Sequence, residues 1–198
     1  GEQLDADRVI LATPAYAAAE LLQASAPRAS ELMRDIPYAP LAVVHLGFPN
    51  AQIKGDTSAF GFLAPDVEGL PVLGCIYAST LFPGRAPAGH TLFTVMIGGA
   101  KHPERTRLGE RELIALATRE LSRLLAISGA PSFTRAVVWP RAIPQYVVGT
   151  ERRTREIREA LRPHPVELAG NCWGGIGVLD VVRNATALVK RLLEPAEA

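Results

Sequence analysis

A glycine-rich segment near the C-terminus carries the residues best placed to do chemistry. Four glycines fall within the eight residues from Gly170 to Gly177, after a short apolar stretch, Val166 to Ala169. Glycine has no Cβ, so the backbone N–H groups of such a turn can approach a ligand closely. The residues that follow predict a helix beginning near Gly177 and Val178, with its positive end toward the ligand. We interpret the segment as a helix start that faces a cofactor.

The residue types that most often catalyse reactions form no local motif elsewhere. None of the four histidines is paired with a serine or cysteine at motif spacing, so a Ser/His/Asp hydrolase has no local support, although such triads assemble in space. The two cysteines lie far apart without a CxxC or CxxH pattern, which argues against a zinc site and is typical of a reducing compartment. These residues are His45, His90, His102, His164, Cys75 and Cys172.

The composition describes a globular protein and excludes several partners. The chain has 198 residues, 48% hydrophobic content and a formal net charge of +1. Its basic and acidic residues are interspersed, as at 150–161, so we expect a solvated surface there and no nucleic-acid partner. No apolar run approaches the roughly 20 residues of a transmembrane helix. We therefore expect a cytoplasmic protein, or one that is peripheral on the cytoplasmic membrane.

The start of the chain predicts a strand followed by a helix. Arg8 to Ala12 is an apolar strand, and Ala15 to Gln23 is an alanine- and leucine-rich helix with Pro14 at its start. One strand and one helix cannot bury both faces of a parallel sheet, so their partners come from the far end of the chain or from outside it. The chain has no initiator methionine and runs almost directly into this strand, so we read its start as an entry point within a longer protein.

The middle of the chain has the alternation and the turn residues of an antiparallel sheet with a helix packed on it. The predicted elements are helices at 29–36, 110–126 and 150–161, strands at 41–48, 59–63, 72–79, 91–97 and 132–139, and a turn-rich link at 140–146. The order along the chain is therefore the end of a dinucleotide-binding domain, an inserted sheet domain, and a return to the dinucleotide-binding domain.

Five segments of the sequence resemble the protoporphyrinogen oxidases of the flavin-dependent amine-oxidase superfamily. They occur in the same order as in that family, and the likeness covers nearly all of the chain. The first and the last segment are shared across the superfamily, whereas the three between them occur in a much narrower group of proteins. The segments are Asp7–Ala15, Leu73–Pro87, Met96–Ala100, Trp139–Tyr146 and Ala169–Asn184.

The resemblance implies a mixed α+β and α/β fold, the C-terminal part of an FAD-binding Rossmann-like domain interrupted by an antiparallel-sheet substrate-binding domain with packed helices. Residues 1–26 would be a strand and helix of the FAD domain, 27–164 the substrate-binding sheet domain, and 165–198 the FAD-domain strand, glycine turn and helix. No GxGxxG opens a strand–turn–helix unit in this sequence, so the site for the adenosine and pyrophosphate half of FAD is not in it. We expect this polypeptide alone to bind FAD weakly or not at all and to be inactive as an oxidase.

The activity that the resemblance implies is the removal of six electrons from protoporphyrinogen IX in three FAD-mediated steps, with O2 as the electron acceptor. No catalytic side chain or metal is expected, because the isoalloxazine accepts the hydride and the protein binds and orients the substrate. A homodimer, and membrane association through parts outside this chain, stay open. Two alternatives also stay open: a coproporphyrinogen oxidase or another flavin oxidoreductase of the superfamily, and a non-catalytic tetrapyrrole-binding module.

The resemblance also assigns site residues by position. The substrate positions are apolar, as a flat greasy macrocycle requires, whereas an amine oxidase would show an aromatic cage; the alternative for each is an ordinary core residue. The flavin positions would direct the positive end of the helix at the pyrimidine side of the isoalloxazine. The alternative for the glycine turn is a loop packed tightly against the sheet, and the alternative for the tryptophan is an ordinary core side chain. The substrate positions are Leu63, Ile76, Met96 and Ile143, and the flavin positions are Trp139, Gly170, Asn171, Ile176, Gly177 and Val178.

Overall fold

A computed structural model of the chain describes residues 2–194. They divide into two compact units. The turn unit comprises the residues up to Tyr38 and those from Pro144 onward, and the sheet unit comprises Ala39–Ile143. Among the described residues, no helix has the length and apolar character needed to cross a membrane.

The elements follow the predicted order closely. The strands are β1 (Val9–Leu11), β2 (Tyr38–Pro49), β3 (Gly61–Leu63), β4 (Gly74–Tyr77), β5 (His90–Gly98), β6 (Phe133–Pro144) and β7 (Val166–Leu168). The helices are α1 (Ala15–Leu22), α2 (Pro27–Arg34), α3 (Ala78–Leu81), α4 (Glu110–Leu124), α5 (Thr150–Leu161) and α6 (Val178–Leu193), with 3₁₀ turns at Asn50–Gln52, Asp66–Glu68 and Pro103–Arg107.

The turn unit joins the two ends of the chain through a parallel strand pair. β1 pairs with β7 in the register Val9 to Val166 and Leu11 to Leu168, so the far end of the chain supplies the predicted partner of the first strand. Helix α2 packs against both α1 and α5. The buried Ser30 hydroxyl donates a hydrogen bond of 2.6 Å to the Ala19 carbonyl, which ties α2 to α1. The core of this unit is therefore mainly a helix cluster beside a short parallel ribbon.

The sheet unit is built on an antiparallel sheet with the strand order β3-β4-β5-β2-β6. Side chains alternate between the two faces of a strand, and in β2 and β5 one alternate set is buried. That set packs with α4, which contributes Leu113, Ala117 and Leu121 to the same buried cluster. The sheet therefore has one face covered by α4 and a second, partly exposed face, on which Ile76 and Met96 lie.

Two features differ from the sequence prediction. The strand predicted to end at Trp139 continues through Pro140 to Pro144, where a turn-rich link was expected. A proline is tolerated there because β6 is the outermost strand, and one of its edges needs no backbone donor. Residues 27–38 and 144–164, predicted to belong to the sheet domain, lie in the turn unit because α2 packs against both α1 and α5. The assignment of one unit to the cofactor and the other to the substrate stays a prediction.

Candidate functional site

The glycine turn connects β7 to α6, as the sequence predicted. Gly170, Gly174 and Gly175 all have positive φ, at 113°, 152° and 139°. Such angles favour glycine because a Cβ would be strained there. Helix α6 begins at Val178, and Gly177 is its N-terminal cap residue. The predicted helix start at Gly177 and Val178 is therefore confirmed.

The turn is packed against its own helix. A Cβ on Gly174 would lie 2.7 Å from Asn184 Nδ2, and a Cβ on Gly175 would lie 2.6 Å from Asp180 Cβ. Trp173, which precedes them, is buried in the core cluster of the turn unit. Two of the four glycines are thus needed to let the chain pass close to α6. At Gly174 and Gly175 the structure therefore shows the alternative reading of the glycines, a loop packed tightly against its neighbour.

The Tyr146 hydroxyl holds this turn in place. It accepts hydrogen bonds from the backbone N–H groups of Gly174, at 3.1 Å, and Gly175, at 2.7 Å, and it donates one of 2.9 Å to the Asn171 carbonyl. Two of the amides that the sequence offered to a ligand are therefore taken by a side chain. Tyr146 was not among the predicted site residues, although it ends the quoted segment Trp139–Tyr146.

A second, partly buried tyrosine ties the same turn to the start of α1. The Cys172 thiol and the Tyr38 hydroxyl share a hydrogen bond of 2.6 Å, and the Tyr38 hydroxyl accepts one of 2.9 Å from the Ala15 N–H, at the first residue of α1. Burial, and then the bond with Cys172, raise the pKa of Tyr38, so its hydroxyl stays protonated. The turn is thus braced on both sides by phenol groups.

The end of the turn is open at the predicted flavin positions. Ile176 and Val178 are 53% and 79% exposed, and no side chain caps the N-terminus of α6. The first N–H groups of a helix have no partner within the helix, and its macrodipole places partial positive charge there. The helix dipole favours an electron-rich ring edge there, and the carboxyl of Asp180 in the first turn of α6 opposes it. Gly170 and Asn171 lie at the other end of the turn, so the five flavin positions of this unit belong to one braced loop, and their role stays a prediction.

Three of the predicted substrate positions lie on adjoining strands. Leu63 pairs with Gly74, which pairs with Met96, so the side chains of Leu63 and Met96 stand in one row, two strand spacings or roughly 10 Å apart. Ile76 is in the neighbouring row on the same face. Leu63 is 82% exposed, which argues against a core role for it. Their contact with a substrate stays a prediction.

The other two predicted positions of the sheet unit lie on β6. Ala136 of this strand packs against the buried cluster, so alternate positions place Trp139 and Ile143 on the face away from α4. Trp139 is 57% exposed, which removes the alternative of a core tryptophan. It belongs to the sheet unit, whereas the other five flavin positions belong to the turn unit.

A polar pair missed from the sequence lies on the same face. His45 of β2 faces Thr94 of β5 in register, and its Nδ1 is 3.1 Å from the Thr94 hydroxyl oxygen. Burial, and to a smaller extent the charge of Arg85, lower the pKa of His45, which favours the neutral imidazole.

No group of three or more metal-ligating side chains occurs within residues 2–194.

Comparisons with known proteins give a consistent result. Residues 1–180 match the family described as flavin containing amine oxidoreductase. The chain is 31% identical to a chloroplastic protoporphyrinogen oxidase of Nicotiana tabacum, over 95% of the chain and 38% of that protein. It is also 31% identical to the coproporphyrinogen III oxidase of Bacillus subtilis (strain 168), over 98% of the chain and 41% of that protein. The chain thus spans about two fifths of the length of these curated relatives.

Solved structures share the fold at lower identity. A protein of Exiguobacterium sp. 255-15, provisionally described as a protoporphyrinogen oxidase, matches with a TM-score of 0.75 and 19% identity, over 94% of this chain and 41% of that one. Cyclohexylamine oxidase from Brevibacterium oxydans matches with a TM-score of 0.63 and 17% identity, over 95% of this chain and 43% of that one. These likenesses establish the fold alone.

Proposed function

Because the chain belongs to the flavin-containing amine oxidoreductases, we propose that it supplies the substrate-binding sheet and the flavin-facing turn of an FAD-dependent porphyrinogen oxidase. The reaction would convert protoporphyrinogen IX to protoporphyrin IX with O2 as acceptor, a step of porphyrin and heme biosynthesis. The observation that carries the proposal is the match of 95% of the chain to a protoporphyrinogen oxidase at 31% identity. Membership of a flavin-containing family confirms FAD as the cofactor.

The turn unit would hold the isoalloxazine end of FAD. When bound, FAD supplies the two-electron oxidising power, which no side chain of this chain has. Ile176, Gly177 and Val178 would place the uncapped start of α6 at the pyrimidine side, where the roughly half positive charge of a helix N-terminus stabilises negative charge. Tyr146 keeps the loop in one conformation, so little reorganisation is needed when charge develops there.

The sheet unit would bind the macrocycle. Leu63, Ile76, Met96 and Ile143 offer flexible apolar side chains that exclude water from a large, apolar substrate. None of these four positions is aromatic, so they do not supply the aromatic cage expected of an amine oxidase. This composition supports a tetrapyrrole over a small amine as the substrate.

Coproporphyrinogen III is the second candidate substrate. The relative from Bacillus subtilis is named for it and matches 98% of the chain at the same 31% identity. The two porphyrinogens share the reduced ring and differ in peripheral groups, two vinyl groups in one and two further propionates in the other. The apolar sheet positions suit the shared ring, so the choice between the substrates depends on the periphery.

The test is flavin absorbance and porphyrin formation, measured on this chain alone and on this chain joined to the remaining length of the Bacillus subtilis relative. Each protein receives protoporphyrinogen IX, coproporphyrinogen III and, as a control, benzylamine. The chain alone has no GxGxxG and should bind FAD weakly and stay inactive. The joined protein should be yellow and form porphyrin. A yellow protein that oxidises benzylamine and neither porphyrinogen would refute the substrate class, and porphyrin binding by the chain without any flavin would favour a non-catalytic module.

A further inference from the structure

Resting on the proposed function, we propose that His45 binds a pyrrole N–H of the reduced tetrapyrrole through its Nε2, while Thr94 fixes the imidazole in the tautomer that can accept that hydrogen bond. The proposal adds a polar recognition point to the substrate-binding sheet face, which the sequence described only by its apolar side chains.

The position of the pair in the sheet supports this role. His45, Thr94 and Ile76 form one register row across β2, β5 and β4, and the adjacent row on the same face contains Val43 and Met96. His45 is therefore diagonal to Met96 on the neighbouring strand, and it lies two strand spacings, or roughly 10 Å, from Ile76. All of these side chains are partly buried, and they lie on the face opposite α4.

The hydrogen bond with Thr94 determines what the imidazole can offer. His45 Nδ1 lies 3.1 Å from Thr94 Oγ1, and within residues 2–194 Nε2 has no hydrogen-bond partner. When Nδ1 carries the proton and donates it to the threonine oxygen, Nε2 keeps a free lone pair. A neutral imidazole in this state is an acceptor.

The charges around His45 favour this neutral form. Arg85 acts on it directly and, with burial, lowers its pKa. The neighbouring strand β6 carries Arg135 and Arg141, whose alternate positions place them on the same face. Among these cations, Arg85 contributes to the lowered pKa of His45, because a nearby like charge disfavours protonation of an imidazole.

The chemistry of the ligand calls for such an acceptor. A porphyrinogen has four pyrrole N–H donors, and its saturated bridging carbons let the rings tilt so that the donors can face one side of the macrocycle. Aliphatic side chains cannot accept these bonds, and a buried donor without a partner costs about 1–3 kcal/mol. His45 would satisfy one donor within an otherwise apolar surface.

The experiment compares His45→Leu, His45→Gln and Thr94→Val with the control His102→Leu, a histidine that follows β5 outside the sheet. Steady-state kinetics with both porphyrinogens are measured on the FAD-loaded enzyme that contains the chain, and porphyrin fluorescence follows the binding of protoporphyrin IX. His45→Leu should raise KM about tenfold with kcat changed less than about twofold, because one hydrogen bond is lost from binding. His45→Gln keeps an acceptor and should recover to within about threefold of wild type, and Thr94→Val should lie between the two.

The pH profile separates recognition from a structural role. The pKa of His45 lies below 6.5, the ordinary value for histidine. As the pH falls through this lowered pKa, protonation removes the acceptor, so the KM of the wild type should rise while that of His45→Gln stays level. A KM unchanged in His45→Leu, with only a lowered melting temperature, would overturn the inference and leave the proposed function standing. If the wild type neither binds porphyrin nor oxidises either porphyrinogen, both fail together.

Discussion

The glycine turn and the open sheet face prepare for a ligand in different ways. In the turn, the candidate site is formed by the backbone, through positive φ angles, amides bound by Tyr146, and an uncapped helix start. On the sheet face, the candidate site is formed by side chains, with aliphatic groups in register rows and one histidine–threonine pair. A backbone site depends on a few glycines and braces, whereas a side-chain site can change one residue at a time. Single substitutions should therefore destabilise the turn more than the sheet face, and on the sheet face they should change ligand binding with less effect on stability.

The largest effect is expected from Gly175→Ala. Its φ of 139° strains any L residue, and the new Cβ would lie 2.6 Å from Asp180 Cβ. We expect a loss of about 3 kcal/mol in the free energy of unfolding, measured by urea denaturation of the chain. Gly149→Ala is the matched control, since its φ is 91° but nothing lies within 4 Å of the added Cβ. It should cost only about 1 kcal/mol, and equal costs for the two would mean that close packing against α6 is not what selects glycine.

Tyr146→Phe should weaken the turn without a steric clash. The variant leaves the amides of Gly174 and Gly175 and the Asn171 carbonyl to water. Because Tyr146 is 47% exposed, water can replace part of the network, and the loss should be about 1–2 kcal/mol. The affinity for FAD of the enzyme that contains the chain should fall about tenfold, as measured by flavin fluorescence. The exposed neighbour Val148→Ala should change nothing, and a Tyr146→Phe enzyme with full FAD affinity would show that the brace is unrelated to the cofactor.

The two thiols report separately on the two regions. Cys75 lies in the core of the sheet unit, where burial raises its pKa to about 12, and Cys172 is buried in the turn. Both should resist a thiol reagent in the native chain, since the thiolate is the reactive form and neither is accessible. In Tyr146→Phe the labelling of Cys172 should speed up roughly tenfold through local opening, while Cys75 stays unchanged. Peptide mass spectrometry resolves the two sites, and parallel acceleration of both would mean that the whole chain loosens.

The smallest effect is the pH dependence contributed by His45. Its folded pKa is lowered, so the unfolded chain binds a proton more readily. The stability that the neutral histidine contributes is therefore present above pH 6.5 and is lost as the pH falls from 6.5 through the lowered folded value. The melting temperature of the wild type relative to His45→Leu should drop by less than about 2 °C over this range. A difference between them that does not change with pH would contradict the lowered pKa.

The sequence predicted those parts of the fold that depend on local pattern. Alternation identified the strands of the sheet, the helical period identified α4, and the charged run identified α5 at its observed bounds, 150–161. The start of α6 followed from the glycines, which can mark a helix boundary whatever the distant contacts are. The continuation of β6 through Pro140 could not be predicted locally, because a proline is tolerated only once the strand is known to be outermost.

The braces of the candidate site were also beyond local pattern. Tyr146 and Gly175 are 29 residues apart, and Tyr38 and Cys172 are 134 apart, so no spacing rule links them. His45 faces Thr94 only because β2 and β5 pair in one particular register. A sequence shows which residue types are present, whereas such partnerships depend on tertiary pairing, which is why the glycines were identified and the groups that hold them were not.

Pro140 in β6 has a further consequence, for solubility. An exposed strand edge offers unpaired N–H and C=O groups to any other chain, which makes it a template for aggregation. At one edge of this sheet Pro140 has no N–H to offer, and at the other β3 is only three residues long. Both edges thus resist the addition of another strand. The sheet can therefore keep an apolar face for a ligand while its edges guard against intermolecular pairing.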